Sequence, residues 1–188
     1  MTDGVTAVRI ARAVISAETR GSVAYPKFPV SFNEHKGVFV TLKKYPSGDL
    51  RGCIGYPEPV FPLKEALVRS AISACHDPRF PDLRSEETVT VEVTLLSRPV
   101  PASQDKEQLV KDIEIGVHGL IIEHRGRRGL LLPQVPVEWN WSKEEYLAHL
   151  SMKAGLPKDA WKFGDSKIYM FTGMIFKEKE PEGDVVSC

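Results

Sequence analysis

Val38-Phe39-Val40-Thr41-Leu42-Lys43 and Leu50-Arg51-Gly52-Cys53-Ile54-Gly55, joined across Pro46-Ser47-Gly48-Asp49, decide the fold. Val38, Val40 and Leu42 alternate with Phe39, Thr41 and Lys43, the period of a strand with one buried face. The Pro-Ser-Gly-Asp run supplies turn chemistry, so the two stretches read as an antiparallel hairpin. In the return strand Leu50, Gly52 and Ile54 point one way, Arg51 and Cys53 the other.

Upstream, Val5, Val8, Ala11 and Ile15 share one face of a predicted helix over Val5–Ala17. A connection through Tyr25-Pro26-Lys27-Phe28-Pro29 follows; its prolines hold the chain extended while Phe28 and Phe32 seek cover. Downstream, Leu63, Ala66, Leu67, Ser70, Ala71 and Ala74 recur at helical spacing, and Asp77-Pro78 ends that helix. Val89, Val91, Val93 and Leu95 alternate with Thr88, Thr90, Glu92 and Thr94, as in a half-exposed strand. A short helix is predicted over Gln104–Lys111, then a second hairpin, Val117–Ile122 with Leu130–Leu132, around the loop Arg125–Gly129. Ser142-Lys143-Glu144-Glu145 is a capping box opening a helix that ends at Gly155-Leu156-Pro157. Lys167–Phe176, apolar on both faces, reads as a central strand, and residues 177–188 as a charged, flexible tail. Hairpins mixed with helices, without regular βαβ alternation, make the chain α+β, an antiparallel β-sheet with flanking helices.

The 188 residues carry 25 basic and 25 acidic side chains, and 42% are hydrophobic, which is the balance of a globular protein rather than a disordered or disulfide-scaffold one. A formal net charge of +0 argues against nucleic acid as a partner, since phosphate binding calls for a basic excess or stripe. No apolar run reaches the ~20 residues that span a bilayer. Arg9 and Arg12 interrupt the only apolar run near the N-terminus, and Cys53, Cys75 and Cys188 form no CxxC pair. The expectation is a cytoplasmic protein with reduced thiols and no membrane partner. No phosphate-cradling glycine motif, metal-binding histidine pair or nucleophile elbow occurs, so no cofactor and no metal is predicted. Arg125, Arg127 and Arg128 read as a solvated hairpin tip and are also the only phosphate-binding patch in the sequence. Trp139, Trp141 and Trp161 read as core or interface residues.

Three places could carry chemistry. Cys53 lies between Gly52 and Gly55; one reading is a small cysteine packed beside glycines, the other an accessible thiol whose thiolate is favoured by Arg51 at i−2. His118, in Gly116-Val117-His118-Gly119, reads either as a base for that thiol or as a strand-end histidine bonded to a neighbouring carbonyl. In Asp77-Pro78-Arg79-Phe80 the acid and the arginine either fix a turn or offer Arg79 to an anionic group.

The string Leu50–Gly55 resembles the hallmark of the AMMECR domain family, named after a human chromosomal region. Ser73-Ala74 with Asp77 and Arg79-Phe80, then Gly116-Val117-His118-Gly119-Leu120, agree with further motifs of that family in order. Leu132-Pro133-Gln134-Val135 and Lys153-Ala154-Gly155-Leu156 with Trp161 extend the similarity over about Val5–Phe176. The resemblance implies a single domain over residues 1–176, built of a larger subdomain and a smaller inserted one with a cleft between them. It implies no established reaction; roles in transcription or translation have been suggested, and some prokaryotic members accompany Memo-like and radical-SAM proteins. Arg51, Gly52, Cys53, Asp77, Arg79 and His118 match motif positions, whereas Cys75 and His76 do not. Two functions follow as expectations. One is an enzyme with Cys53, His118 and Arg51 as its catalytic set and Gly52, Asp77 and Arg79 binding an unidentified small molecule. The other is a non-catalytic binding or regulatory module for a protein or RNA partner.

Overall fold

The structure, a computed structural model, describes residues 3–21 and 27–187. Tyr25-Pro26 of the proline-punctuated connection and Cys188 lie outside the described residues. In chain order the elements are α1 (Asp3–Arg20), β1 (Val38–Lys44), β2 (Leu50–Tyr56), α2 (Leu63–Cys75), β3 (Val89–Leu96), β4 (Val100–Pro101), α3 (Lys106–Asp112), β5 (His118–His124), β6 (Arg127–Leu131), α4 (Gln134–Glu138), α5 (Lys143–Lys153), β7 (Lys167–Glu178) and β8 (Val185–Ser187). The fold is α+β with antiparallel strand pairing. Its contacts divide the chain into two units, one of residues up to Leu96 and from Met174 onward, the other Ser97–Gly173.

In the first unit β1 lies between β2 and β3. Val40 faces Ile54 on one side and Val93 on the other, and Leu42 faces Gly52 and Val91. The alternating residues Val38, Val40, Leu42, Val91 and Val93 are fully buried, and α1 and α2 cover them with Ala7, Ile10, Ala11, Leu67 and Ala71. Burying a Val or Leu side chain contributes about 1.5–3 kcal/mol, so this shared face is the unit's main source of stability. Helix α1 starts earlier and ends later than its apolar spacing predicted, and Gly21 ends it at φ 75°, which glycine adopts without a Cβ penalty. Phe32 is buried and Phe28, at 36% exposure, leans on it with ring centroids 6.5 Å apart.

The stretch read as a flexible tail is paired instead: Phe176, Lys177 and Glu178 of β7 face Ser187, Val186 and Val185 of β8. The cause is Glu178, whose buried carboxylate accepts from Arg12 Nε at 3.0 Å and from the Val91 amide at 3.0 Å. A charge density that reads as solvated in sequence contains one carboxylate with a buried cationic partner.

In the second unit β5 lies between β6 and the Lys167–Thr172 half of β7. Leu120, Ile122 and Ile168 pack with Leu109, Tyr146, Leu147, Leu150 and Trp161. The capping box is present: Ser142 Oγ accepts the Glu145 amide at 3.2 Å, and Glu145 Oε2 accepts the Ser142 amide at 2.8 Å. The second hairpin turns on Arg125 and Gly126 alone, so Arg127, Arg128 and Gly129 stand in β6 rather than in a loop. Trp161 is core, but Trp139 is 68% exposed and stacks on Trp141, which lies flat against His149 at 3.8 Å.

Candidate functional site

Arg51, Gly52, Cys53, Asp77 and Arg79 come together in the first unit. The local cause is the way α2 ends. A Cβ on Gly52 would lie 2.2 Å from the Ala74 carbonyl oxygen, so the last turn of α2 sits directly on β2 and delivers the following residues to Cys53. Strand β2 is the edge of its sheet, and its outward backbone groups at Cys53 need partners. Asp77 Oδ2 accepts the Cys53 amide at 2.9 Å, and Arg79 Nη2 donates to the Cys53 carbonyl at 3.3 Å. The two side chains are locked to each other, with Arg79 Nε and Nη2 donating to Asp77 at 3.0 and 2.6 Å. That pairing holds the buried Asp77 carboxyl far below the usual carboxylate range, chiefly through Arg79, and holds the Arg79 guanidinium above its ordinary value.

Arg51 is 4% exposed and faces a different partner. Its Nε and Nη2 grip Glu87 at 2.6 and 2.8 Å, and Nη2 also donates to the carbonyls of Pro81 and Asp82. The Arg51 hydrogen bond holds the Glu87 carboxyl down to about 2. Arg51 Nη1 is buried with no partner. Arg51 thus binds the residues that connect α2 to β3, and Arg79 is the guanidinium that reaches the Cys53 backbone.

Cys53 is half-buried, and its sulfur accepts a hydrogen bond from the Thr41 hydroxyl at 3.2 Å. Arg79 is also its electrostatic neighbour. Cys75, by contrast, is buried, donates to the Ala71 carbonyl, and is pushed up to about 12 by burial. It is inert at neutral pH. His76 bridges Glu18 and Asp82 at 2.9 Å each, which raises its pKa.

His118 belongs to the second unit, at the start of β5. Its Nδ1 accepts the Glu114 amide at 3.0 Å, so the neutral ring carries its proton on Nε2. Its carbonyl accepts from the buried Tyr146 hydroxyl at 3.2 Å. Among the described residues no group of three His, Cys, Asp or Glu side chains could hold a metal ion. No helix among the described residues is long and apolar enough to cross a membrane.

Two participants escaped the sequence reading. Thr41 is the direct cross-strand partner of Cys53, a position that the hairpin register fixes. Glu87 lies 36 residues from Arg51 and carries no local signal.

The family model described as AMMECR1 matches residues 8–176. Protein MJ0810 of Methanocaldococcus jannaschii is 52% identical over 98% of this chain and 94% of its own length. Protein MK0488 of Methanopyrus kandleri is 48% identical over 97% of this chain and 92% of its own. The crystal structure of uncharacterized protein PH0010 from Pyrococcus horikoshii matches with a TM-score of 0.80 at 42% identity, covering 99% of this chain and 96% of that one. None of these names carries an activity. With a family match over almost the whole chain and relatives this similar end to end, the protein belongs to the AMMECR1 family.

Proposed function

We propose that this protein is a cytoplasmic enzyme whose reacting group is the Cys53 thiol. The observation that carries the reading is the division of tasks within Arg51–Gly55. Arg51 is bound to Glu87, Gly52 lies against the Ala74 carbonyl, Ile54 packs on the core, and a Cβ on Gly55 would meet the Val38 carbonyl at 2.2 Å. Cys53 is left half-buried, with a hydroxyl aimed at its sulfur and a guanidinium beside it. The thiolate of a cysteine is the form that attacks an electrophilic carbon or a disulfide.

In this reading Cys53 is the nucleophile, and Thr41 and Arg79 stabilise its charge. Asp77 positions Arg79, and Arg51 fixes the segment that carries Asp77 and Arg79. A thiol of this kind stays reduced in the cytoplasm, where the unpaired Cys53 and Cys75 are at home. His118, expected from the sequence as a base, offers Nε2–H in its neutral form, a hydrogen-bond donor rather than an acceptor.

Alkylation by iodoacetamide at neutral pH, mapped by peptide mass, tests the proposal. Cys53 should react while the buried Cys75 stays unmodified, and Arg79→Gln and Thr41→Val should each slow it. A rate indifferent to both substitutions would sink the reading. Running His118→Gln in the same assay shows whether that ring takes part.

A second reading, a non-catalytic binding module, draws on the bracket that Asp77 and Arg79 place around the Cys53 peptide, which protects the sheet edge whatever the sulfur does. It expects Cys53→Ala to keep full cellular function.

A further inference from the structure

The arginine-rich hairpin tip of the second unit surrounds a cavity of about 330 Å³. Its wall holds His124, which is 7% exposed and held in place on three sides. His124 Nδ1 lies 3.0 Å from Ser166 Oγ and 3.3 Å from Asp165 Oδ1, and Phe163 leans on the ring at 5.6 Å between centroids. Ser166 donates its single proton to the Ala160 carbonyl at 2.6 Å, so toward His124 its oxygen accepts. The proton of the neutral ring is therefore on Nδ1, and Nε2 carries the lone pair. Among the described residues Nε2 has no partner. A buried histidine oriented by a carboxylate, with its other nitrogen unpartnered beside a cavity, is built to meet a ligand.

The rest of the lining says which ligand. Arg125, Arg127, Arg128 and Lys167 face two carboxylates, Glu123 and Asp165. Arg125 uses only Nε on Asp165, at 3.0 Å, leaving both terminal nitrogens available. Arg127 uses Nη1 on the Gly155 carbonyl, and the Lys167 ammonium has no partner among the described residues. Arg125 itself sits at φ 47°, a left-handed position that a two-residue hairpin turn ordinarily gives to Asn, Asp or Gly. Its side chain lines the cavity. A second cavity of about 360 Å³ shares Asp165 and Lys167 and continues along Pro101, Ile168 and Tyr169.

We propose that this hairpin tip binds the phosphoryl group of a small phosphate ester, with the organic part of the ester in the second cavity. Guanidinium forks and an ammonium match phosphate oxygens. His124 Nε2 accepts from a phosphate hydroxyl or, once protonated, donates to a phosphate oxygen, and Asp165 supports the imidazolium. The volumes suit a small molecule.

The test follows the His124 ring nitrogens by NMR in the full chain while inorganic phosphate, then glycerol phosphate, is added at constant ionic strength, with chloride as the control. A saturable Nε2 shift with a midpoint in the millimolar range or tighter is expected, tighter for the ester than for inorganic phosphate. Lys167→Gln and Arg125→Gln, both at exposed positions, should each weaken it by about fivefold without moving the thermal midpoint. A linear drift equal to that in chloride, or unchanged affinity in both variants, would overturn the proposal. So would a single-stranded RNA that binds tighter per phosphate than the ester, because it would make the site one for a polymer backbone.

Discussion

Around Cys53 the arginines are spent on carboxylates of the fold, whereas beside His124 Arg125 keeps both terminal nitrogens open. Arg51 is buried on Glu87, and Arg79 clasps Asp77 with two nitrogens. Arg125, with a side chain 79% exposed, keeps one bond to Asp165 and leaves its remaining donors unpaired. The same residue type builds a scaffold in one region and offers a binding surface in the other. The prominence of an arginine in a sequence motif therefore says little about whether it touches a ligand. In the first region the motif arginines shape the strand edge on which Cys53 sits.

The comparison breaks most visibly at the glycines. Gly52→Ala would press a methyl group to 2.2 Å from a backbone oxygen and should cost about 3 kcal/mol or prevent folding. Gly126→Ala meets no atom within 4 Å and carries only the strain of φ 77°, about 1 kcal/mol. Thermal denaturation of the two variants reads the difference. Equal losses would show that α2 does not rest rigidly on β2.

Removing an arginine sharpens it further. Arg51→Ala strands a carboxylate and two carbonyls and should lower stability in urea by about 3 kcal/mol. Arg125→Ala should stay within about 0.5 kcal/mol of wild type. A neutral Arg51→Ala would contradict the scaffold role.

A smaller effect appears in acid. Glu87 titrates near 2 in the folded state against 4.5 as its ordinary value, so its contribution is complete above pH 4.5 and is lost as pH falls toward 2. Unfolding free energies of Glu87→Gln should fall by about 2 kcal/mol less than those of wild type across that window, the remaining slope being that of Asp77. A wild-type slope retained in the variant would assign the acid sensitivity elsewhere, with Asp77 as the first alternative, since its carboxyl is also held down.

Much of this was legible because it rests on short-range patterns. Alternation over Val38–Lys43 and the turn at Pro46–Asp49 give the hairpin. Helical spacing from Leu63 to Ala74 and the Ser142–Glu145 box mark α2 and α5 with nearly the observed bounds. What stayed hidden depends on partners distant in sequence. Glu87 reaches Arg51 only after the chain from α2 to β3 has folded back, and Glu178 is tied down by Arg12 from the other end of the chain. The tight turn at Arg125-Gly126 was missed because arginine is unusual at positive φ, and with it the placement of Arg127 and Arg128 on a strand. The pairing of Arg51 with Cys53, drawn from their i, i+2 spacing, did not include the register shift that leaves Arg51 without a cross-strand partner, and could not show that Glu87 engages the arginine.

The most direct test of Cys53 as the reacting group is its alkylation rate at neutral pH in wild type, Arg79→Gln and Arg51→Lys. If Arg79 supplies the charge at the sulfur, Arg79→Gln slows the reaction several-fold, whereas Arg51→Lys acts on stability and leaves the rate of the folded protein unchanged. The opposite pattern, with the rate following Arg51 and ignoring Arg79, would contradict the placement of charge around Cys53.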